Sequence, residues 1–380
     1  MRNHDNNCRQ ETGALHAAGA VQVGGSLELH PESGLPPLIG AEDLTAFAVK
    51  LLTAAGADET QASHVAEVLV WADTVGRSNQ GVWRLPILCK RLSAGLFHCP
   101  CRPRIHDRTP AVALIDGDNG MGHFVGRVAV DAAIERAAGH GVALVCVCNS
   151  NFLGPLGYYV DRIAQRGMLG MLFSNSFSKV APHGGTKPIL GTNPLAFAAP
   201  RRNTESIIVD LATAASAGSD ITKAAELGQS LPVGIAIDRE GRPITDPSKV
   251  SEGALMPLGG AKGYALGLVV EILAGVATGA GISHSVHSMY SDFKNPGNSG
   301  HLLVAIDINT LMPLETFYQR MELLVEVIRD CEGVLLPGEA RWRARAETEA
   351  AGGIGLDEQT TTALTKLARS LDVPPPWQKV

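Results

Sequence analysis

Several things are scarce in this chain of 380 residues, and each shortage removes a class of protein. There is no excess of positive charge. The formal net charge is -6, which argues against nucleic acid or an anionic membrane surface as the main partner. No long apolar run is present either. The most apolar segment, 264–282, is interrupted by Glu271 and rich in Gly and Ala, and predicts a helix buried against a sheet, not a membrane span. The seven cysteines are an odd number scattered along the chain and make no disulfide framework. Cys146 and Cys148 alternate in an apolar run, where free cysteine usually packs. His98, Cys99 and Cys101 lie close together, but no second cluster completes a metal site, so no metal is expected. The first 34 residues are polar and Gly-rich and lack the apolar core of a secretory signal. They are expected to form a disordered tail (1–34) on a cytoplasmic protein.

What remains is an ordinary globular composition, 45% hydrophobic and 18% charged, long enough for two or three folded units. Leu44, Phe47, Ala48, Leu51 and Leu52 are spaced for a helix that stops near Gly56. Asp58 with Gln61 opens a second helix, whose stripe Ala62, Val65, Ala66 and Leu69 runs to Gly76. A third helical segment covers 83–92, followed by a Pro/His/Cys-rich linker at 97–110. The grammar then changes. Strand-like runs AVALID, VALVCV, MLGMLF, PLAFAA and IIVDLA alternate with helical segments at 125–138 and 156–166. The last strand-like run is 301–308, and helices follow, including one at 358–371. The expected class is α/β: a mixed-sheet unit plus a helical unit built from both chain ends. The expected divisions are 35–108 for the N-terminal helical part, 109–301 for the α/β unit and 302–380 for the strand and helices that complete the helical one.

GDNGMGHFVG (117–126) has the glycines and the strand-to-helix context of a dinucleotide fingerprint. That fingerprint requires an acid at the end of the next strand, to bind ribose hydroxyls. Here that strand ends Cys148-Asn149-Ser150-Asn151, with no acid. The motif therefore predicts only a Gly-rich turn.

Four stretches carry a different signal: NSNFLGPLGYY (149–159), PHGGTKPILGTNPLAFAAPR (182–201), VDLAT (209–213) and LMPLGGAKGYALGLVVEILAG (255–275). From about residue 38 onward, down to LPGE (336–339), the chain resembles the malate/L-lactate dehydrogenase-type oxidoreductases, which lack a Rossmann fold. The wording is most similar to the branch of Δ1-piperideine-2-carboxylate and Δ1-pyrroline-2-carboxylate reductases. The resemblance implies a homodimer, a small-molecule substrate, and NADPH or NADH bound on a mixed sheet by a non-Rossmann fold. It places cofactor contacts on Asn175, Ser176, His183, Gly184, Asp210, Leu211, Ala212, Gly260 and Lys262. Glycines allow close backbone approach and Lys262 can meet a phosphate.

The substrate side departs from the family pattern. In VGRSNQGVWRLP (75–86) the family usually has Ser-His-Gly three residues before an arginine, the imidazole serving to relay a proton. Asn79 and Gln80 stand there, before Gly81 and Arg84. A second family histidine corresponds to Phe152. Arg84 matches the arginine that clamps the substrate carboxylate, for which a guanidinium fork is suited. Asp220, in AGSD (217–220), matches an aspartate of the reductase branch that orients or supplies a proton, or else it caps a helix. Asn and Gln cannot deliver a proton, whereas a protonated cyclic imine brings its own. The sequence therefore points to NAD(P)H-dependent reduction of a cyclic imine bearing a carboxylate. The alternatives are 2-hydroxyacid/2-oxoacid chemistry with another proton donor, His123 first among candidates, or a member without redox activity used as a binding protein or non-redox catalyst. Phe152 would wall the substrate pocket.

Overall fold

A computed structural model describes residues 38–377; the expected tail at 1–34 lies outside them. The chain opens with three helices, α1 (Ala41–Ala54), α2 (Glu59–Thr74) and α3 (Leu85–Ser93). Asp58 caps α2 by accepting the Gln61 N–H at 3.0 Å, and the chain leaves α1 and α2 through left-handed Gly56 and Gly76. The middle of the chain then supplies β1 (Arg104–Thr109), β2 (Val112–Asp116), α4 (Gly122–His140), β3 (Val142–Ser150), α5 (Leu156–Ala164), β4 (Met168–Ser174), β5 (Leu195–Arg201) and β6 (Thr204–Leu211). After α6 (Gly218–Glu226) come three two-residue strands, β7 (Ala236–Ile237), β8 (Pro243–Ile244) and β9 (Ala254–Leu255). Then follow α7 (Ala261–Glu271), β10 (Ser299–Asp307), α8 (Leu314–Arg329), α9 (Glu339–Ala350) and α10 (Glu358–Ser370).

The main sheet runs β1-β2-β3-β10-β4-β5-β6. Only β2 and β3 pair in parallel; β10 is inserted antiparallel between β3 and β4. A doubly wound Rossmann sheet has no such order. The turn before α4 is therefore a packing device. Gly122 sits so close to the Asn151 and Phe152 backbone that a Cβ would approach within 2.2 Å of it.

Among the described residues two apolar cores are much larger than the rest. One lies between the sheet and helices α4 and α5, with Val125, Ala129, Tyr159 and Ile163 against Val145, Val147 and Leu172. The other joins both chain ends: Leu44, Leu51, Leu69 and Leu88 pack with Ile354, Leu356 and Leu364. Ile39 and Ile354 also exchange backbone hydrogen bonds at 3.0 and 2.8 Å, tying the ends together.

Two expectations need correction. The supposed linker at 97–110 contains β1, whose residues are all exposed. It has no apolar alternation because it is an edge strand, held by pairing to β2. Segment 264–282 is not one buried helix. After α7 it continues as a π-helical turn, Ile272–Val276, and Leu266, Val269, Ile272 and Val276 are exposed.

Candidate active site

The turn after α2 is built around Asp73. Its carboxylate accepts the Val82 N–H at 2.8 Å, and Gly81 lies so close that a Cβ would come within 2.0 Å of it. Only glycine fits there. Burial pushes the Asp73 carboxyl up to about 7, against the Val82 hydrogen bond, which lowers it. The anchored turn presents Asn79 and Gln80 on a short 3-10 turn and Arg84 on the next.

Arg84 is buried, 7% exposed, and forms the centre of the cluster. Its Nε donates to the Asn79 carbonyl at 2.8 Å and its Nη1 donates to the Tyr290 hydroxyl. Its guanidinium carbon lies 4.7, 5.4 and 5.5 Å from the ring centroids of Trp83, Phe152 and Tyr290. Tyr290 is brought in by a loop that Arg91 holds from below. Arg91 donates to the carbonyls of Met289, Asp292 and Asn295 at 3.3, 2.7 and 3.1 Å.

His123, at the start of α4, sits 5.7 Å from the Phe152 ring. It is fully buried and neither ring nitrogen has a hydrogen-bond partner. Burial, reinforced by the Arg84 charge, pushes it down to about 3, so it stays neutral at physiological pH. Gln80 Oε1 is buried and unpartnered as well.

Lys179 completes the cluster, half-buried, with Nζ 4.7 Å from the Phe177 centroid and 5.5 Å from that of Tyr290. Burial lowers its pKa, and the Arg84 charge lowers it further. Asp220 is exposed inside the first turn of α6, two residues past the helix start at Gly218. A Cβ on Gly218 would lie 3.7 Å from Lys179 Nζ, so this end of α6 abuts the cluster.

The residues expected to meet the cofactor fall into two sets. His183, Gly184, Gly260 and Lys262 form one. His183 and Gly184 are exposed, and a Cβ on Gly260 would lie 3.6 Å from the His183 ring. Gly259 and Gly260 have φ of 59° and 68°, and α7 begins behind them with no side-chain cap. An uncapped helix start beside an exposed lysine is a donor set that fits a phosphate. The second set is largely occupied by the fold. Asn175 donates to the Gly281 carbonyl at 2.7 Å and accepts the Gly300 N–H at 2.9 Å. Ser176 Oγ accepts the Thr192 N–H at 3.0 Å. The Asp210 carboxylate takes the Gly157 N–H at 3.0 Å and pairs with Arg341 at 3.1 Å, while Leu211 and Ala212 are half-buried beside it.

The structure thus brings Arg84, Phe152 and the Asn79 backbone together. It adds Lys179, Phe177 and Tyr290, which sequence reasoning missed. Lys179 left one signal, a lone cation in SNSFSKVAP; Tyr290 left none, because a distant loop delivers it.

The fold and site define a non-Rossmann oxidoreductase scaffold. The malate/L-lactate dehydrogenase family model matches residues 39–365. The chain is 37% identical over 342 residues to the L-sulfolactate dehydrogenase of Methanothermobacter thermautotrophicus, covering 88% of this chain and 97% of that protein. It is 34% identical over 314 residues to the Δ1-pyrroline-2-carboxylate/Δ1-piperideine-2-carboxylate reductase of Pseudomonas putida, covering 82% and 91%. The solved Δ1-piperideine-2-carboxylate reductase of Pseudomonas syringae superposes with a TM-score of 0.82 at 32% identity, covering 87% of this chain and all of that one. The chain belongs to the malate/L-lactate dehydrogenase family, a family of NAD(P)-dependent oxidoreductases. Overall identity does not single out the reductase branch. No helix among the described residues is long and apolar enough to cross a membrane.

Proposed function

We propose that the protein uses NADPH or NADH to interconvert a 2-oxo acid and its 2-hydroxy acid. The observation that carries this reading is a pair of cations. Arg84 and Lys179 both pack on the Tyr290 ring, and the charge acting on Lys179 is that of Arg84. Such a pocket suits a substrate of net negative charge. A cationic iminium there would meet like charge, on the order of 3 kcal/mol for unit charges about 5 Å apart at an effective dielectric of about 20.

Gly260, Lys262, His183, Gly184 and Ser176 would hold the nucleotide, with Asn175 and the Asp210–Ala212 strand end supporting it. The nicotinamide supplies or accepts a hydride when bound. Arg84 grips the substrate carboxylate, and its Asn79 and Tyr290 bonds fix the direction of its fork. Phe152 and Phe177 wall the pocket and exclude water. Gln80, whose side-chain oxygen lacks a partner, accepts a hydrogen bond from the substrate. Asp220, at the exposed edge, orients groups entering from solvent. The exposed apolar stripe Leu266, Val269, Ile272 and Val276 suits burial against a second copy, so the working form is a homodimer.

The second reading, reduction of a cyclic imine beside a carboxylate, rests on the loss of both family histidines and on a His123 held neutral. Nucleotide oxidation followed with 2-oxo acids and with cyclic imino acids, using both cofactors, decides between them. Turnover of imines without 2-oxo acids would replace our reading with the second.

A further inference from the structure

Asn79, Gln80 and Phe152, which line the Arg84 cluster and its turn, cannot deliver a proton, yet reducing a ketone requires one at the carbonyl oxygen. We propose that Lys179 delivers it. The inference rests on the 2-oxo acid reading and adds to it the residue that does the acid–base work.

The position is built. The Lys179 N–H donates to the Leu190 carbonyl at 2.8 Å and its carbonyl accepts the Leu255 N–H at 2.8 Å, so its backbone is held on both sides. Three residues earlier is Ser176, and four residues later is His183, both on the proposed nucleotide side. The side chain instead reaches the aromatic rings that surround Arg84. Lys179 thus shares a backbone segment with the proposed nucleotide side while its ammonium packs on Tyr290, the ring that also contacts the Arg84 guanidinium.

The charged and titratable groups around it leave few rivals. Arg84, on the facing 3-10 turn, already donates to Asn79 and Tyr290. His123 lies behind Phe152, buried and neutral. Asp220, on the neighbouring α6, is exposed. Tyr290, whose hydroxyl accepts from Arg84, is the rival donor. Lys179 forms no ion pair among the described residues, and its pKa is lowered, chiefly by burial. A lysine tuned down in this way is a better acid than a solvated one.

In the step, the carbonyl carbon accepts a hydride, with its electron pair, from the dihydronicotinamide, which becomes the oxidised nicotinamide. The carbonyl π bond opens onto oxygen, and that oxygen takes a proton from the Lys179 ammonium. The products are the 2-hydroxy acid and a neutral Lys179 amine, which regains a proton from water. Oxidation runs the same step backwards, with the amine as base.

The test compares the wild type, Lys179→Met, Lys179→Arg and Tyr290→Phe on a 2-oxo acid the wild type reduces. Lys179→Met should lower kcat by about 10²- to 10⁴-fold, beyond any rise in KM from the lost positive charge. It should also abolish the alkaline limb of the wild-type pH profile. Lys179→Arg keeps the charge without a transferable proton and should be equally slow. Independently of turnover, amine labelling read by peptide mass spectrometry should give Lys179 a lower midpoint than exposed Lys50. Recovery of activity in Lys179→Arg, or a loss confined to KM, would make Lys179 an anion anchor and overturn the proposal. Loss of the limb in Tyr290→Phe but not in Lys179→Met would overturn it in favour of Tyr290. Failure of the wild type to reduce any 2-oxo acid, with imines turned over, would instead sink the underlying reading. The labelling midpoint would still report on Lys179.

Discussion

The proposed nucleotide side and the proposed substrate side of this molecule follow different rules. On the first, the backbone does the work: left-handed Gly259 and Gly260, an uncapped α7 and an exposed Lys262 need little from neighbouring side chains. On the second, side chains from four distant places converge on Arg84: Phe152, Lys179, Tyr290 and His123. A site made of backbone leaves a contiguous motif in the sequence. A site made of converging side chains leaves no contiguous motif, and here Asn79, Gln80 and Phe152 carry no imidazole.

Breaking the substrate side should have the larger effect. Arg84→Lys keeps the charge and loses the fork, along with the bonds to Asn79 and Tyr290. Hydrogen bonds to charged groups are worth about 1.5–3 kcal/mol, so KM should rise about 10- to 100-fold while nucleotide affinity stays constant. Steady-state kinetics with a nucleotide fluorescence titration reads both; unchanged KM would make Arg84 a packing residue.

On the nucleotide side, Lys262→Ala removes one exposed charge-assisted partner and should weaken nucleotide binding about tenfold without altering the melting temperature. An unchanged Kd for both NADPH and NADH would remove Lys262 from the site.

The smallest effect concerns the turn that carries Arg84. The Asp73 carboxyl is raised to about 7 in the fold. Its stabilising contribution is therefore full below about pH 4, where the unfolded carboxyl is also protonated, and is lost progressively as pH rises to about 7. Asp73→Asn, still able to accept the Val82 N–H, should flatten that decline in thermal melts between about pH 4 and 7. A decline identical to the wild type's would place its origin elsewhere.

Much of the fold was legible because burial leaves a period. Leu44 to Leu52 and Ala62 to Leu69 predicted α1 and α2, and continuous apolar runs predicted β2 to β6. β1 was not, since RIHDRT buries no side chain. The exposed face of α7 was misjudged because an apolar helix reads alike whether sheet or partner covers it. At the site, Arg84 and Phe152 could be placed by family wording, and Lys179 and Tyr290 could not. Proximity between residues 84, 179 and 290 is a property of the tertiary fold, and Arg91, which sets the Tyr290 loop, acts through backbone carbonyls that carry no sequence identity.

The central claim is that this site moves its substrate proton without a histidine. The most direct measurement is the wild-type pH dependence of kcat/KM for reduction of a 2-oxo acid, whose carboxylate stays ionised across the range. Our account predicts a plateau through neutrality and a single fall on the alkaline side, as a lysine with a lowered pKa gives up its proton. A limb near ~6.5, the ordinary range of a histidine, would contradict it.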